Sequence, residues 1–217
     1  MILSKYSLIV PIILFSLASM GQKSKNITGY YVTKDGDTVN CTFLSRNWKK
    51  QPIEVKISVN GKEQKITATN SKGFYLRETD TWYKATKIDV ALYEQQMQFA
   101  NSHYLPEYDS VKPVFAKRLF KYDLALWLYV DPVERKHFLL VTNDKYVEIY
   151  KHLYTASGGF HGRDPIVTWF NQYIYILKDH MKDCPTLFSI IDAIELNEAD
   201  LIKLLALYKT CKEDKNK

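Results

Sequence analysis

The sequence predicts an α+β protein in which one or more antiparallel β-meander sheets precede a C-terminal segment of about three helices. Apolar residues recur with a period of two up to about residue 155 and with a period of three to four after residue 160. These are the periods of strands and helices, respectively. The segments Asp35-Gly36-Asp37 and Asn60-Gly61 are also typical of tight hairpin turns, because Asn, Asp and Gly tolerate positive φ angles.

The period-two region predicts a series of antiparallel strands. Residues 30–34 and 38–44 flank the first turn, and strict alternation over 53–59 leads into the second. The further strand candidates are 73–77, 82–90, 114–121, 124–130, 137–141 and 146–152. The polar stretch 95–112, which contains Pro106, predicts a long connection to which we assign no structure.

A first helix is predicted over 165–181. Asp164 suits its N-cap, and Pro165 suits its first turn, where the missing amide hydrogen costs nothing. Five apolar residues then follow at three- and four-residue steps: Ile166, Trp169, Phe170, Tyr173 and Leu177.

Two more helices are predicted towards the C-terminus. A short one runs from Pro185 through Ile191, and the last begins at Asn197. The apolar face of the last helix carries Leu201, Leu204, Leu205, Tyr208 and Cys211. We expect the apolar faces of this helical region to pack on the sheet, because about 45 residues are too few to bury a core alone.

The N-terminus predicts export. Lys5 precedes an apolar run from Leu8 to Leu17, and small residues follow at Ser19 and Gly21, which is typical of a signal peptide covering residues 1–21. The run is shorter than the ~20 apolar residues of a membrane span, although an uncleaved anchor is the alternative. No cysteine lies near the cut to carry a lipid. The prediction is a periplasmic or secreted bacterial protein with a β-rich region at 22–160 and a helical region at 161–217.

Composition and charge exclude several classes of protein. Removing 21 of the 217 residues leaves 196, with 46% hydrophobic and 25% charged residues in the whole chain, which is typical of a folded domain. Without Lys5 there are 29 basic and 24 acidic residues, a mild net charge of +5. We therefore expect no nucleic-acid partner.

The three cysteines predict one disulfide. Cys184 and Cys211 both belong to the helical end, and exported thiols oxidise, so they form the expected pair. Cys41 shares a strand face with Val39 and Phe43, so we expect it to be buried and reduced. No Cys-x-x-Cys spacing is present, which argues against a zinc ribbon or a thioredoxin-like site.

Parts of both ends resemble one group of proteins. Residues 29–39 read G-Y-Y-V-T-K-D-G-D-T-V, and further segments are Arg46-Asn47-Trp48, Gly73-Phe74, Asp183-Cys184-Pro185 and 207–211. Together they resemble a family of uncharacterised secreted bacterial proteins that begin with a G-Y-x-x-T-x-x-G-D-T hairpin and end in a cysteine-bearing helical segment. The resemblance implies export and the fold, and it implies no activity.

Aromatic and basic residues supply the candidate binding site. Aromatic residues make up 14% of the chain, and rings exposed on one face of a sheet can stack on sugars or contact peptides. The candidates are Trp48, Trp82, Tyr83, Trp127, His161 and Arg163. Trp48 lies among cations in Arg46-Asn47-Trp48-Lys49-Lys50, which would suit an anionic glycan or a lipid head group, although a polar loop between two strands is the simpler explanation of that segment.

The loop 157–164 is the candidate catalytic segment. It reads Ser-Gly-Gly-Phe-His-Gly-Arg-Asp and follows His152, so it offers a nucleophile, a base, a cation and a carboxylate. It lacks the strand context of a phosphate loop or of a nucleophile elbow, so a linker explains it as well. Metal binding by His152, His161 and Asp164 is a weaker reading of the same residues. No cofactor and no metal are predicted.

Two functions therefore follow from the sequence. The first is an exported or envelope-associated, non-catalytic module that binds a protein or glycan partner through its sheet. The alternative is a small hydrolase that uses the loop 157–164. An aromatic surface without converging titratable groups would favour the first, and a deep pocket that joins His161 to a serine and a carboxylate would favour the second.

Overall fold

The structure is a computed structural model that describes residues 27–44, 53–91, 108–110, 113–131, 134–143, 145–156 and 166–215. The predicted signal peptide, the loop 157–164 and most of the stretch 95–112 lie outside these residues. In the part described, no helix is both long enough and apolar enough to cross a membrane.

The chain is an antiparallel sheet followed by three helices, as the sequence predicts. The strands of the main sheet are β1 Ile27–Thr33, β2 Thr38–Phe43, β3 Glu54–Val59, β4 Lys62–Thr67, β5 Ser71–Leu76, β6 Thr81–Thr86, β9 Val114–Phe120, β10 Ala125–Val130, β11 Lys136–Thr142 and β12 Lys145–Ile149. Two further sheets have two strands each: β7 Asp89–Ala91 with β8 Tyr108–Ser110, and β13 His152–Ala156 with β14 Ile166–Phe170. The helices are α1 Gln172–His180, α2 Phe188–Ala193, which follows a 3-10 turn at Pro185–Leu187, and α3 Glu198–Lys215.

Ten strands form the main sheet in the order β12-β11-β10-β9-β6-β5-β1-β2-β3-β4. Most neighbours in this order are also neighbours in sequence. There are two exceptions. Strand β5 returns to pair with β1, and β9 pairs with β6 although β7 and β8 lie between them in the sequence. The first strand is therefore an interior strand, paired on both sides, which buries its backbone hydrogen-bonding groups in the ladder.

One side of the sheet, which we call the inner face, carries two adjoining cores. Tyr83 pairs with Lys117, and Lys117 pairs with Leu128, so Tyr83 and Leu128 lie on the same face. Tyr83 belongs to a core with Phe43 and Phe74 into which the β3–β4 hairpin packs. Leu128 belongs to a second core that includes these helix residues: Tyr173, Leu177, Ile191, Leu201, Leu204, Leu205 and Tyr208. The helices thus bury their apolar sides on the inner face.

The predicted first helix is wrong over its first turn and a half. Residues 166–170 form strand β14, which pairs with β13, and the helix begins only at Gln172. The segment Ile166-Val167-Thr168-Trp169-Phe170 is rich in β-branched and aromatic residues, which favour strands. Spacing at three and four residues did not distinguish this short apolar run from a helix. The proposed N-cap, Asp164, lies outside the described residues.

The predicted disulfide is present. Cys184 at the start of the 3-10 turn bonds to Cys211 on α3, with the two α carbons 6.3 Å apart. Cys41 is a free thiol and is buried in the core beneath β2, and burial raises its pKa to about 11. A thiol with so high a pKa stays protonated at neutral pH and is therefore a poor nucleophile.

Candidate functional site

Three aromatic side chains stand side by side on the outer face of the main sheet. Tyr30 on β1 is the register partner of Tyr75 on β5, and Tyr75 is the partner of Trp82 on β6. The centroid of the Tyr30 ring lies 5.2 Å from that of the Tyr75 ring and 6.0 Å from that of the Trp82 ring. All three side chains are half-buried. We call Tyr30, Tyr75 and Trp82 the aromatic row.

Hydrogen-bonded polar side chains border the aromatic row. The Tyr75 hydroxyl donates to Asp80 at 2.7 Å, and Arg77 donates to the amide oxygen of Asn40 at 2.7 Å. Glu78 accepts from both the backbone N–H and the hydroxyl of Thr28, at 2.7 and 2.9 Å. The border is therefore ordered by bonds within the β5–β6 hairpin and from the end of β5 to β1 and β2.

Arg118 extends the aromatic row along the same face. Tyr83 on β6 pairs with Lys117 on β9. Because the two strands are antiparallel, Trp82, which precedes Tyr83, lies opposite Arg118, which follows Lys117. Arg118 is also the register partner of Trp127 on β10. The Arg118 side chain is half-buried. The hydrogen bond to Asp80 raises the pKa of Tyr75. The positive charge of Arg118 lowers the pKa of Tyr75, so that charge is close enough to interact with the phenol.

The structure separates the residues predicted to bind. Trp82 is in the aromatic row, whereas Tyr83 is only 3% exposed and stacks on Phe74 with centroids 4.6 Å apart on the inner face. Burial raises the pKa of Tyr83 to about 12. Trp127 is 8% exposed and packs in a core on the outer face. Neither Tyr83 nor Trp127 offers an open ring face.

The remaining predicted residues, Trp48, His161 and Arg163, lie outside the described residues. The sequence reasoning missed Tyr30, Tyr75 and Arg118. Tyr30 and Tyr75 share the strand face of Trp82 only through the β1–β5–β6 pairing, which joins residues 45 positions apart. The doublet Tyr30-Tyr31 after Gly29 was the available signal, because alternation places one of two adjacent tyrosines on each face of a strand.

A buried ionic cluster lies farther along the outer face. His137 is 1% exposed, its Nδ1 lies 2.7 Å from Glu148 Oε1, and its Nε2 lies 3.5 Å from Asp131 Oδ2. Arg135 donates to Asp131 from its backbone N–H and from its side-chain Nε, each at 2.8 Å. The Tyr129 ring stacks on the imidazole of His137. Because the imidazole is sealed from solvent, this cluster joins β10, β11 and β12 rather than offering a base to a substrate.

A surface cleft lies between the β11–β12 turn and the end of α1. Its volume is about 490 Å³, and its lining includes Asp123, Lys145, Asp179, His180 and Tyr208. His180 is oriented by the carbonyl oxygen of Ile176, 2.9 Å from its Nδ1. Lining charges of both signs face outward without a buried polar group that converges on one point, so the cleft has no recognisable catalytic geometry.

The predicted catalytic and metal-binding residues are not brought together in the part of the chain that the structure describes. The loop 157–164, with His161 and Asp164, lies outside it, and for His152 only the backbone is described. Among the described residues, no group of three or more His, Cys, Asp or Glu side chains could hold a metal ion.

Comparisons with known proteins leave the fold and the site to be interpreted from this chain alone. No protein-family model matches the sequence, and no curated protein or solved structure resembles it significantly.

Proposed function

We propose that the protein is an exported, non-catalytic binding module whose aromatic row binds a glycan. The observation that carries the proposal is the register Tyr30–Tyr75–Trp82, which sets three half-buried rings next to one another on one sheet face. Clusters of partly exposed aromatic side chains are characteristic of binding surfaces, since monomeric proteins bury most of their aromatic surface in the core.

The chemistry of the row suits a sugar chain. An aromatic ring has an electron-rich face and attracts the weakly positive C–H groups that cover one side of a pyranose. The Tyr30 centroid lies within 6.0 Å of the centroids of both Tyr75 and Trp82, so the three rings form a compact cluster on which one or two neighbouring sugar units could stack. Asn40, Arg77 and Asp80 border the row with hydrogen-bonding groups of the kind that sugar hydroxyls use.

Export is part of the proposal and has its own support. The first 21 residues have the charge, apolar run and small residues of a signal peptide. A disulfide between Cys184 and Cys211 is compatible with an oxidising compartment. An exported protein would meet glycans of the cell envelope or of the surroundings.

The test is calorimetric titration of the mature protein with soluble oligosaccharides of three kinds: a neutral β-glucan, a chitin oligomer and an oligogalacturonate. We expect at least one of them to bind, and Tyr30→Ala and Trp82→Ala to weaken that binding about tenfold or more, as loss of central aromatic contacts does. Tyr175→Ala is the matched control, because Tyr175 is an aromatic residue 61% exposed on α1, away from the sheet's outer face.

Two results would contradict the proposal. One is the absence of binding to all three sugars by a folded wild-type protein. The other is sugar binding that Trp82→Ala and Tyr175→Ala affect equally. A protein that is captured from envelope extract through the aromatic row, while no sugar binds, would assign the row to a protein partner instead.

A further inference from the structure

We infer that the glycan is acidic and that the guanidinium of Arg118 binds its carboxylate or sulfate group. This inference rests on the proposed function, because it concerns the ligand of the aromatic row. Arg118 lies opposite Trp82 on the adjacent strand β9 and on the same face, so a sugar chain that stacks on Tyr30, Tyr75 and Trp82 has Arg118 at its side.

The charged side chains around the aromatic row differ in whether they already have hydrogen-bond or ion-pair partners. The two nearby carboxylates already accept hydrogen bonds, Glu78 from Thr28 and Asp80 from Tyr75. Arg77 already donates to Asn40. Arg118, by contrast, makes no ion pair with any residue in the part of the chain that the structure describes.

The position of Arg118 suits an anion on a sugar. Its side chain is half-buried, and its strand position lies between those of Trp82 and Trp127. A half-buried side chain has fewer conformations to lose when an anion is bound. The planar guanidinium presents two parallel N–H donors to a carboxylate or a sulfate.

The test uses two pairs of ligands that share a sugar backbone and differ in whether it carries a negative charge. One pair is oligogalacturonate and its methyl ester, and the other is a dextran oligosaccharide and its sulfate ester. We expect at least one acidic member to bind about tenfold or more tightly than its neutral partner in low salt, as a charge-assisted hydrogen bond would give. The preference should fall as ionic strength rises.

Variants then assign the effect to Arg118. Arg118→Gln should bring the affinity for the acidic ligand down to that for its neutral partner. Arg118→Lys should retain part of the preference, because lysine keeps the charge and loses the two-pronged geometry. Lys203→Gln is the charge control, since Lys203 is exposed on α3.

The outcomes separate this inference from the proposed function. Equal affinities within both ligand pairs, with Trp82→Ala still weakening binding, would overturn the acidic ligand and leave the aromatic row as a glycan site. A charge preference that survives Arg118→Gln would also overturn the inference. If no sugar binds, both proposals fail. Circular dichroism of each variant confirms that the comparison is between folded proteins.

Discussion

The ring of Trp82 lies over Gly73 on the neighbouring strand. A β carbon built on Gly73 would come within 3.1 Å of Cζ2 of Trp82 and within 2.3 Å of the carbonyl oxygen of Tyr83. Gly73 also has a φ angle of +150°, which side-chain-bearing residues rarely adopt. The absence of a side chain at Gly73 therefore makes room for the ring that ends the aromatic row.

Gly73→Ala should destabilise the protein and displace Trp82. We expect a loss of about 1–3 kcal/mol in the free energy of unfolding, because the new methyl group meets backbone that cannot move away. Urea denaturation measures the loss. Gly61→Ala is the control, since Gly61 also has a positive φ but nothing lies within 4 Å of its added β carbon. Equal losses in the two variants would show that the close contact with β6 is unimportant.

Reduction of the disulfide should destabilise the helical segment. Cys184 and Cys211 are 27 residues apart, and closing a loop of this size stabilises by about 3–4 kcal/mol on the chain-entropy model. Denaturation with and without reductant measures the difference, and the Cys184→Ser/Cys211→Ser variant should not respond to reductant. Mass mapping of the unreduced protein should find the 184–211 cross-link and an alkylatable Cys41 after unfolding. A cross-link that includes Cys41 would contradict the structure.

Glu148→Leu should lower stability by about 3 kcal/mol, because it removes the carboxylate 2.7 Å from Nδ1 of a buried histidine, and His137→Leu should destabilise as well. The double variant His137→Leu/Glu148→Leu should lose less than the sum of the two single changes, since no charge then stays buried without its partner. Chemical denaturation of the four proteins completes the cycle. Glu63→Ala, at an exposed position of β4, is the control. Strict additivity would contradict direct coupling of the pair.

Acid should weaken the protein partly through Asp131. Burial by itself would raise the pKa of this carboxyl, but hydrogen bonds from Arg135 and the contact with His137 outweigh it and hold the pKa below its ordinary value of 3.8. A lowered pKa means that the stabilisation is complete well above pH 3.8 and is lost as the pH falls through 3.8 towards the folded-state value.

Asp131→Asn should therefore show a smaller loss of stability than the wild type between about pH 6 and about pH 3. Urea unfolding across that range measures the slope. Asp179→Asn is the matched control, because the Asp179 side chain is 73% exposed on α1. If Asp131→Asn and the wild type lose stability in parallel, the carboxylate of Asp131 is not one of the groups responsible.

Local patterns in the sequence predicted most of the fold. Period-two alternation identified strands such as β10, and apolar residues at three- and four-residue steps identified α3. Cys211 lies on the apolar face of the last helix, and this placement is consistent with the Cys184–Cys211 disulfide. The failure at 166–170 arose because a short aromatic and β-branched run fits both periods, and pairing with β13 decided between them.

The candidate site was predicted only in part for a different reason. Trp82 was named, but its neighbours Tyr30 and Tyr75 reach it through strand pairings between distant segments. Alternation within one strand assigns residues to a face and cannot say which strands are adjacent. For the same reason, alternation left Tyr83 and Trp127 as candidates and could not show that both are buried.

The most direct test of the glycan-binding row is the fluorescence of Trp82 in a variant that lacks the other three tryptophans: Trp48→Phe, Trp127→Phe and Trp169→Phe. Titration with the sugar that binds in calorimetry should change the Trp82 emission saturably, with the calorimetric affinity, and should reduce quenching by acrylamide. Binding that saturates in calorimetry while the emission and the quenching of Trp82 stay unchanged would place the ligand elsewhere and contradict the proposed site.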